Sequence, residues 1–220
     1  MALLPLRRVR MFSLALAALA VVACSHQKDG PKPTLSGLEP GIVCVEQLTT
    51  DVVVSGTNLS PEVNDGLTND PQLVLPSLTL LPEAALAGGS LAATSVHWVS
   101  DSEMRMTIDP ALGLTPGLWG LRVENANGNQ ATLASALLAV GRPVLDAVVP
   151  DLACVEQGAR SVVLQGSGFL TLGAAVPEVA VGDVLLTPTA TGGCVALPGP
   201  VANVTSCTSL TVLIPETLPV

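Results

Sequence analysis

A long internal repeat limits the folds open to this chain. Residues 33–59, PTLSGLEPGIVCVEQLTTDVVVSGTNL, align without a gap to residues 143–169, PVLDAVVPDLACVEQGARSVVLQGSGF. Ten of the 27 aligned positions are identical, and both segments contain the sequence CVEQ. Self-similarity at a fixed spacing is typical of duplicated units. The sequence therefore predicts two copies of one domain, residues 33–141 and residues 143–220.

The pattern of apolar residues predicts short β-strands inside the copies. Met104, Met106 and Ile108 alternate with polar residues, and residues 119–123 repeat this two-residue period. Such alternation is typical of a strand with one buried face. The 18 prolines and 20 glycines lie between short Val-rich segments, which disfavours long helices. We therefore predict an all-β fold built as a β-sandwich.

The order of these features resembles the IPT/TIG domain, an immunoglobulin-like module. A Val-rich strand is closed by Gly56, a later strand ends at Pro110, and residues 115–125 (TPGLWGLRVEN) follow. The resemblance covers nearly all of the first copy, although the insertion between Leu59 and Ser95 is longer than the family pattern needs. It implies tandem immunoglobulin-like sandwiches. IPT/TIG domains occur in receptors, DNA-binding factors and secreted enzymes, so the resemblance implies a fold and not a reaction.

The second copy is predicted to be incomplete. Residues 209–215 (SLTVLIP) parallel residues 104–110 (MRMTIDP), and the counterparts of residues 116–140 do not follow. A sandwich without two of its strands would expose sheet edges and core residues, which is costly. Two hypotheses remain: the sequence is a fragment of a longer protein, which we favour, or a partner supplies the strands.

The N-terminus of the chain has the pattern of a bacterial lipoprotein signal. Three arginines precede an apolar segment, residues 11–23, and Cys24 follows directly. The segment is shorter than the roughly 20 residues that cross a bilayer. Its ending, VVAC, resembles the lipobox, which implies palmitate on Cys24; Ser25 after it implies passage to the outer membrane. We therefore predict a signal peptide (1–23) and a lipidated tether (24–32), with an ordinary signal peptide as the alternative.

The charge of the mature chain excludes one class of partner. Removal of the three signal arginines leaves six basic and 18 acidic residues, a formal charge of −12. Binding to nucleic acid depends on clustered basic residues, so we expect no nucleic-acid partner. Attraction to anionic lipid is equally unfavourable, which leaves the acyl group as the predicted attachment to the membrane.

The cysteines predict one disulfide. Cys194 and Cys207 flank a loop that contains Pro and Gly, and an exported chain is able to form disulfides. Cys44 and Cys154 occupy equivalent positions in the repeat. They are either two small buried thiols, or Cys154 pairs with a cysteine beyond Val220. No cysteine or histidine pair has zinc spacing, so we predict no metal site.

The sequence contains no pattern of a catalytic site, and we expect no enzyme activity and no cofactor. The histidines are His26, in the tether, and His97, which we predict on a strand surface. The segment 166–168 (GSG) is interpreted as the turn that ends a strand. Residues 64–70 (NDGLTND) lack the spacing of a calcium loop and are interpreted as a solvated loop.

These observations predict an outer-membrane lipoprotein with a non-catalytic binding, adhesion or structural role and a protein or polysaccharide ligand. The loop from Leu59 to Leu73, with Asp65 and Asp70, is the first candidate contact site. The alternative is the stalk of a secreted enzyme or envelope-assembly protein whose active domain lies beyond residue 220. A third hypothesis is a structural lipoprotein that faces the periplasm instead of the cell surface.

Overall fold

The computed structural model describes residues 30–46, 49–64, 72–83, 89–151 and 158–216, and these residues form an almost entirely β structure. The first eleven strands are β1 (Thr34–Glu39), β2 (Ile42–Cys44), β3 (Thr50–Thr57), β4 (Glu62–Asn64), β5 (Gln72–Val74), β6 (Ser77–Pro82), β7 (Leu91–Ala92), β8 (Val96–Ser100), β9 (Glu103–Ile108), β10 (Gly117–Glu124) and β11 (Gln130–Val140). The remaining strands are β12 (Val144–Val149), β13 (Arg160–Leu172), β14 (Val179–Val181), β15 (Val184–Leu186), β16 (Ala190–Gly192), β17 (Val195–Ala196) and β18 (Val204–Ile214). A 3₁₀ turn, Pro110–Leu112, lies between β9 and β10. The predicted all-β fold is confirmed.

Strands β1 to β3 and β6 to β11 form two sheets that share one apolar core, the arrangement of a β-sandwich, and β4 pairs with β5 in a separate two-stranded sheet. One sheet has the order β1-β3-β9-β8, and the other has the order β2-β11-β10-β6-β7. Strand β2 runs parallel to β11, whereas the other pairs in these sheets are antiparallel. We call this part of the molecule the N-terminal sandwich.

The core of the N-terminal sandwich follows from the alternation seen in the sequence. On β9, Met104, Met106 and Ile108 are buried while Arg105 is exposed, as predicted. From the facing sheet, Trp119 is only 1% exposed, and its ring N–H donates a hydrogen bond to the Thr115 carbonyl oxygen at 2.9 Å. The buried indole is therefore both packed and hydrogen-bonded, which is the usual condition for a polar group inside a protein.

The turn between β10 and β11 covers one end of this core. Asn125 and Asn129 are buried there. The Asn125 side-chain amide donates to the Asn58 carbonyl oxygen at 2.8 Å, and the Asn129 amide donates to the Gly30 carbonyl oxygen at 3.3 Å. These bonds attach the β10–β11 hairpin to the chain that enters and leaves the opposite sheet.

The described residues of the C-terminal part form a four-stranded sheet of order β12-β13-β18-β16, which we call the C-terminal sheet; β17 also pairs with β18. A separate hairpin is formed by β14 and β15. Phe169, Cys207 and Leu210 form a small buried cluster, against which Leu164 and Val179 pack.

The repeat in the sequence is matched by the geometry of β1–β3 and β12–β13. The register between β1 and β3 shifts between Leu35 and Gly37, and the register between β12 and β13 shifts between Leu145 and Ala147. The two shifts therefore lie at aligned positions of the repeat. After each Val-rich segment, Asn58 and Gly168 have positive φ angles, 54° and 73°.

The prediction that a turn at residues 166–168 ends a strand of the second copy is wrong. Strand β13 does not end at residues 166–168, because it continues to Leu172 across a register shift between Gln165 and Phe169. The small residues therefore accommodate a bulge instead of a terminating turn.

The parallel between residues 209–215 and 104–110 is also shifted by one position. Met106 pairs with Val52, and Val212 pairs with Val162, so residues 104–108 correspond to residues 210–214. Since a one-residue slip would turn every side chain to the opposite face, this register is the one that places Leu210 and Val212 in the interior.

Candidate binding surfaces

The predicted disulfide is present in the C-terminal part. The sulfurs of Cys194 and Cys207 are 2.05 Å apart, and Cys207 lies buried on β18. The bond closes a loop that is also held by a hydrogen bond from the Leu197 N–H to the Val204 carbonyl oxygen at 2.9 Å. Because closing a loop of this length restricts the unfolded chain, we expect a stabilisation of about 3 kcal/mol.

The disulfide-closed loop packs against the N-terminal sandwich. A Cβ added at Gly199 would lie 3.3 Å from Leu138 Cβ. A Cβ added at Gly41 would lie 3.1 Å from Pro200 Cγ and 3.0 Å from Val201 Cγ2. These short separations show that glycine at both positions leaves room for side chains of the opposite segment to pack against the backbone.

A cavity of about 500 Å³ lies at this junction. Its walls are mostly apolar and come from the start of β10, the end of β11, the segment that follows β11, strand β13 and the disulfide-closed loop. The apolar lining residues are Pro116, Gly117, Leu118, Leu138, Ala139, Val140, Gly141, Gly168, Leu170, Leu197 and Pro198. Glu83, Arg142 and Ser206 are its polar lining residues. The volume is within the range of small-ligand sites.

The charged residues of the junction cavity have partners elsewhere. Glu83 Oε1 accepts hydrogen bonds from the Ser135 N–H at 2.7 Å and from Ser135 Oγ at 3.3 Å. Arg142 Nε lies 3.2 Å from Glu46 Oε2, and both of these side chains are mostly exposed. An exposed pair of this kind contributes about 0–1 kcal/mol. The cavity is therefore suited to an apolar group more than to an ion.

The two faces of the C-terminal sheet are both partly apolar and exposed. Its inner face, defined by Leu145, Val148, Leu164 and Leu210, borders a second cavity of about 390 Å³ that Phe169 also lines. Leu145 is 55% exposed and Val148 is 37% exposed. Leu38, the counterpart of Val148 in the N-terminal sandwich, is only 9% exposed.

We define the outer face of the C-terminal sheet by Val144, Val149 and Leu213. These positions are apolar, whereas the equivalent positions of the N-terminal sandwich are polar. These three side chains are each 47% exposed. The register places Thr34, Glu39 and Thr107 at the equivalent positions of the N-terminal sandwich. There, Thr34 shares a hydrogen bond with Thr57 at 2.7 Å, and Thr107 donates to Asp51 at 3.0 Å. Exposed apolar side chains that share one sheet face are a candidate interaction surface.

Several residues singled out in the sequence lie outside the described residues: Cys24, His26, Asp65, Asp70 and Cys154. The candidate loop between Leu59 and Leu73 is thus described only at its two ends, where β4 pairs with β5. These predictions about lipidation and loop contacts stay predictions.

The remaining candidates lie apart from one another. His97 is exposed on β8, opposite Arg105, which agrees with a strand surface position. Cys44 ends β2, is half-buried and has a free thiol. Among the residues that the structure describes, no group of three or more His, Cys, Asp or Glu side chains could hold a metal ion.

Comparison with known proteins adds no assignment. No protein-family model matches the chain, and no curated protein matches its sequence. Within the described part of the chain, no helix has the length and apolar character that crossing a membrane would require. The structure thus defines the class, an all-β protein with a β-sandwich.

Sequence inspection missed the junction cavity and the apolar outer face. The cavity depends on contacts between segments far apart in the chain, for which the sequence offers no local signal. The outer face could have been found from the repeat, because Glu39 aligns with Val149 and Thr34 aligns with Val144. The presence of valine in the second copy at these two positions, which are polar in the first copy, could have indicated an apolar outer face.

Proposed function

We propose that this protein is a lipid-anchored lipoprotein of the bacterial outer membrane with a non-catalytic binding role. The lipid is attached to Cys24, and residues 33–141 and 143–220 belong to two immunoglobulin-like domains of the IPT/TIG type. The ligand is a protein, and it binds on the outer face of the C-terminal sheet. The acidic chain is held at the membrane by its acyl group and presents that face to the ligand.

The observation that supports this function is the exposed outer face. Val144, Val149 and Leu213 are exposed apolar residues on one face of the sheet, at positions that are polar in the first copy. An apolar surface without stacked aromatic rings favours a protein ligand over a polysaccharide, since sugar sites commonly use aromatic side chains. Strand ends and loops around the sheet supply the polar rim of such an interface.

Binding is tested with the unlipidated mature chain and isolated bacterial envelopes. We expect the chain to sediment with the envelopes in a saturable manner. The double variant Val149→Glu with Leu213→Thr introduces the residues found at the equivalent positions of the first copy. We expect this variant to bind at least tenfold more weakly, whereas a matched change on the exposed His97, His97→Ser, has no effect.

The same assay distinguishes the class of ligand. Treatment of the envelopes with protease should abolish binding if the ligand is a protein. Retained binding to protease-treated envelopes or to purified peptidoglycan would indicate a polysaccharide instead. Equal binding of the wild type and the double variant would exclude the outer face as the binding surface.

A further inference from the structure

The cavity at the junction of the two parts is far larger than a packing defect. Its volume is about 500 Å³, whereas voids inside proteins seldom exceed the size of a water molecule. Two of its lining residues, Gly117 and Gly168, have positive φ angles of 141° and 73°. Glycine adopts such angles without strain and places no side chain in the space. The backbone at both positions therefore keeps the cavity open.

Water gains little from entering this cavity. A buried water needs about two to four polar partners, and most of the lining is aliphatic. Glu83 Oε1 already accepts hydrogen bonds from Ser135, and Arg142 Nε lies 3.2 Å from Glu46 Oε2. Since replacement of poorly ordered water by an apolar group is favourable, the lining favours an apolar ligand.

The charges at the cavity favour a ligand without net charge. Glu83 and Arg142 are the ionisable lining residues, and their formal charges cancel. A ligand anion would meet the carboxylate and a ligand cation would meet the guanidinium, beside apolar walls in which an unpaired charge is costly. Ser206 is the remaining polar lining residue, and its hydroxyl is able to donate and to accept one bond from a neutral polar group.

The walls fit an aliphatic chain better than an aromatic ring. Among the described residues, those that line the cavity include no aromatic side chain, so a ring would find no stacking or edge-to-face partner. An apolar cavity of roughly 150 Å³ holds benzene. By that scale, about 500 Å³ is sufficient for a flexible chain of about ten carbons.

We propose that the junction cavity is a binding site for a neutral aliphatic molecule, a chain of about ten carbons with a single hydroxyl group. The chain lies against the leucines of the lining, Leu118, Leu138, Leu170 and Leu197, and the hydroxyl bonds to Ser206. Because Leu118 and Leu138 belong to the N-terminal sandwich and Leu197 to the disulfide-closed loop, the ligand bridges the two parts of the molecule. The outer-face residues do not line this cavity, so the inference is independent of the proposed function.

The test uses the mature chain with 1-decanol as the probe. Leucine methyl groups are labelled with ¹³C, and their NMR signals are followed during a titration. We expect saturable shifts of the four lining leucines and no shift of Leu78, a core residue that does not line the cavity. Decanoate, which has the same chain length but is ionised at neutral pH, should bind at least tenfold more weakly.

Two residues of the disulfide-closed loop give a matched comparison. Leu197 lines the cavity, whereas Val195 is 67% exposed and does not. Leu197→Asp should weaken decanol binding at least tenfold, because it places a charge in the apolar wall, and Val195→Asp should leave binding unchanged. Ser206→Ala should weaken binding about fivefold through the loss of one hydrogen bond. Circular dichroism checks the folding of each variant.

Three results would overturn the proposal. Decanol could cause no saturable shift at the lining leucines of the wild type, a result that needs no variant to fold. A folded Leu197→Asp variant could bind decanol as well as the wild type does. Decanoate could bind more tightly than decanol, which would exclude a neutral ligand. None of these results bears on envelope binding, so failure of this proposal is distinguishable from failure of the proposed function.

Discussion

Gly166 lies so close to the backbone of Val144 that an added Cβ would be 2.0 Å from the Val144 carbonyl oxygen. In the first copy, an added Cβ at Gly56 would lie 2.1 Å from the Thr34 carbonyl oxygen. Both contacts are with rigid backbone, so a methyl group at either position must displace a strand. The two glycines therefore have the same physical role in the two sheets.

Replacement of either glycine by alanine should destabilise the protein. We expect Gly56→Ala and Gly166→Ala each to lower the free energy of unfolding by about 1–3 kcal/mol or more, the usual effect of overpacking. Gly37→Ala is the control, because nothing lies within 4 Å of a Cβ at that glycine. Urea denaturation followed by circular dichroism measures the difference. Equal stability of the Gly166→Ala and Gly37→Ala variants would contradict this account of the β12–β13 contact.

Loss of the disulfide should loosen the loop at the junction. The variant Cys194→Ser with Cys207→Ser should be less stable by about 3 kcal/mol, and amide exchange should increase in residues 197–203. The free thiol of Cys44 provides the control, since Cys44→Ser leaves the cross-link intact. Thermal unfolding with and without reducing agent measures both effects. If reducing agent did not change the unfolding temperature of the wild type, this prediction would be contradicted.

Trp119 should contribute more to stability than Trp98. The indole of Trp119 is buried in the core, whereas Trp98 is half-buried on the edge strand β8. Trp119→Ala should therefore cost about 3–5 kcal/mol, and Trp98→Ala should cost less. Acrylamide quenching gives an independent measurement. In Trp98→Phe the remaining emission comes from Trp119, and acrylamide should quench it poorly. In Trp119→Phe it comes from Trp98 and should be quenched more strongly. Similar quenching in the two variants would show that the two rings do not differ in burial.

The hydrogen bond from Asn125 should be important for attachment of the hairpin. Asn125→Ala removes the donor to the Asn58 carbonyl, and a lost buried hydrogen bond costs about 1–3 kcal/mol. Gln130→Ala is a suitable comparison, because Gln130 is an exposed residue of the same hairpin and bonds only at the surface, to Glu124. Chemical denaturation should rank Asn125→Ala as clearly the less stable of the two.

The sequence predicted the features that depend on local pattern. Alternation on β9 identified its buried face, and the short Pro- and Gly-containing loop identified the disulfide. The repeat predicted that a Val-rich strand would end in glycine in both copies; β3 ends one residue after Gly56, whereas β13 continues past Gly166. In each case the relevant information lies within a short segment or within one gapless alignment.

The two wrong predictions about the second copy concern features that depend on long-range pairing. The segment 166–168 has turn-like residues, yet pairing with β18 continues the strand beyond it to Leu172. The register of β18 was misaligned by one position because Pro215 was matched to Pro110. In the structure, the residue opposite Arg160 is Ile214, as Ile108 is opposite Thr50. The register of β18 is fixed by its pairing with β13, which the sequence of β18 alone does not reveal.

The lipid anchor is the central element of the proposed function, and intact mass spectrometry of the membrane-extracted protein tests it most directly. We predict that residues 1–23 are absent and that the N-terminal peptide begins at Cys24 with a covalently attached lipid. Cys24→Ala should yield a chain without lipid that is released from the membrane fraction. An N-terminal peptide that retains residues 1–23, or an unmodified Cys24 thiol in the wild type, would contradict the assignment.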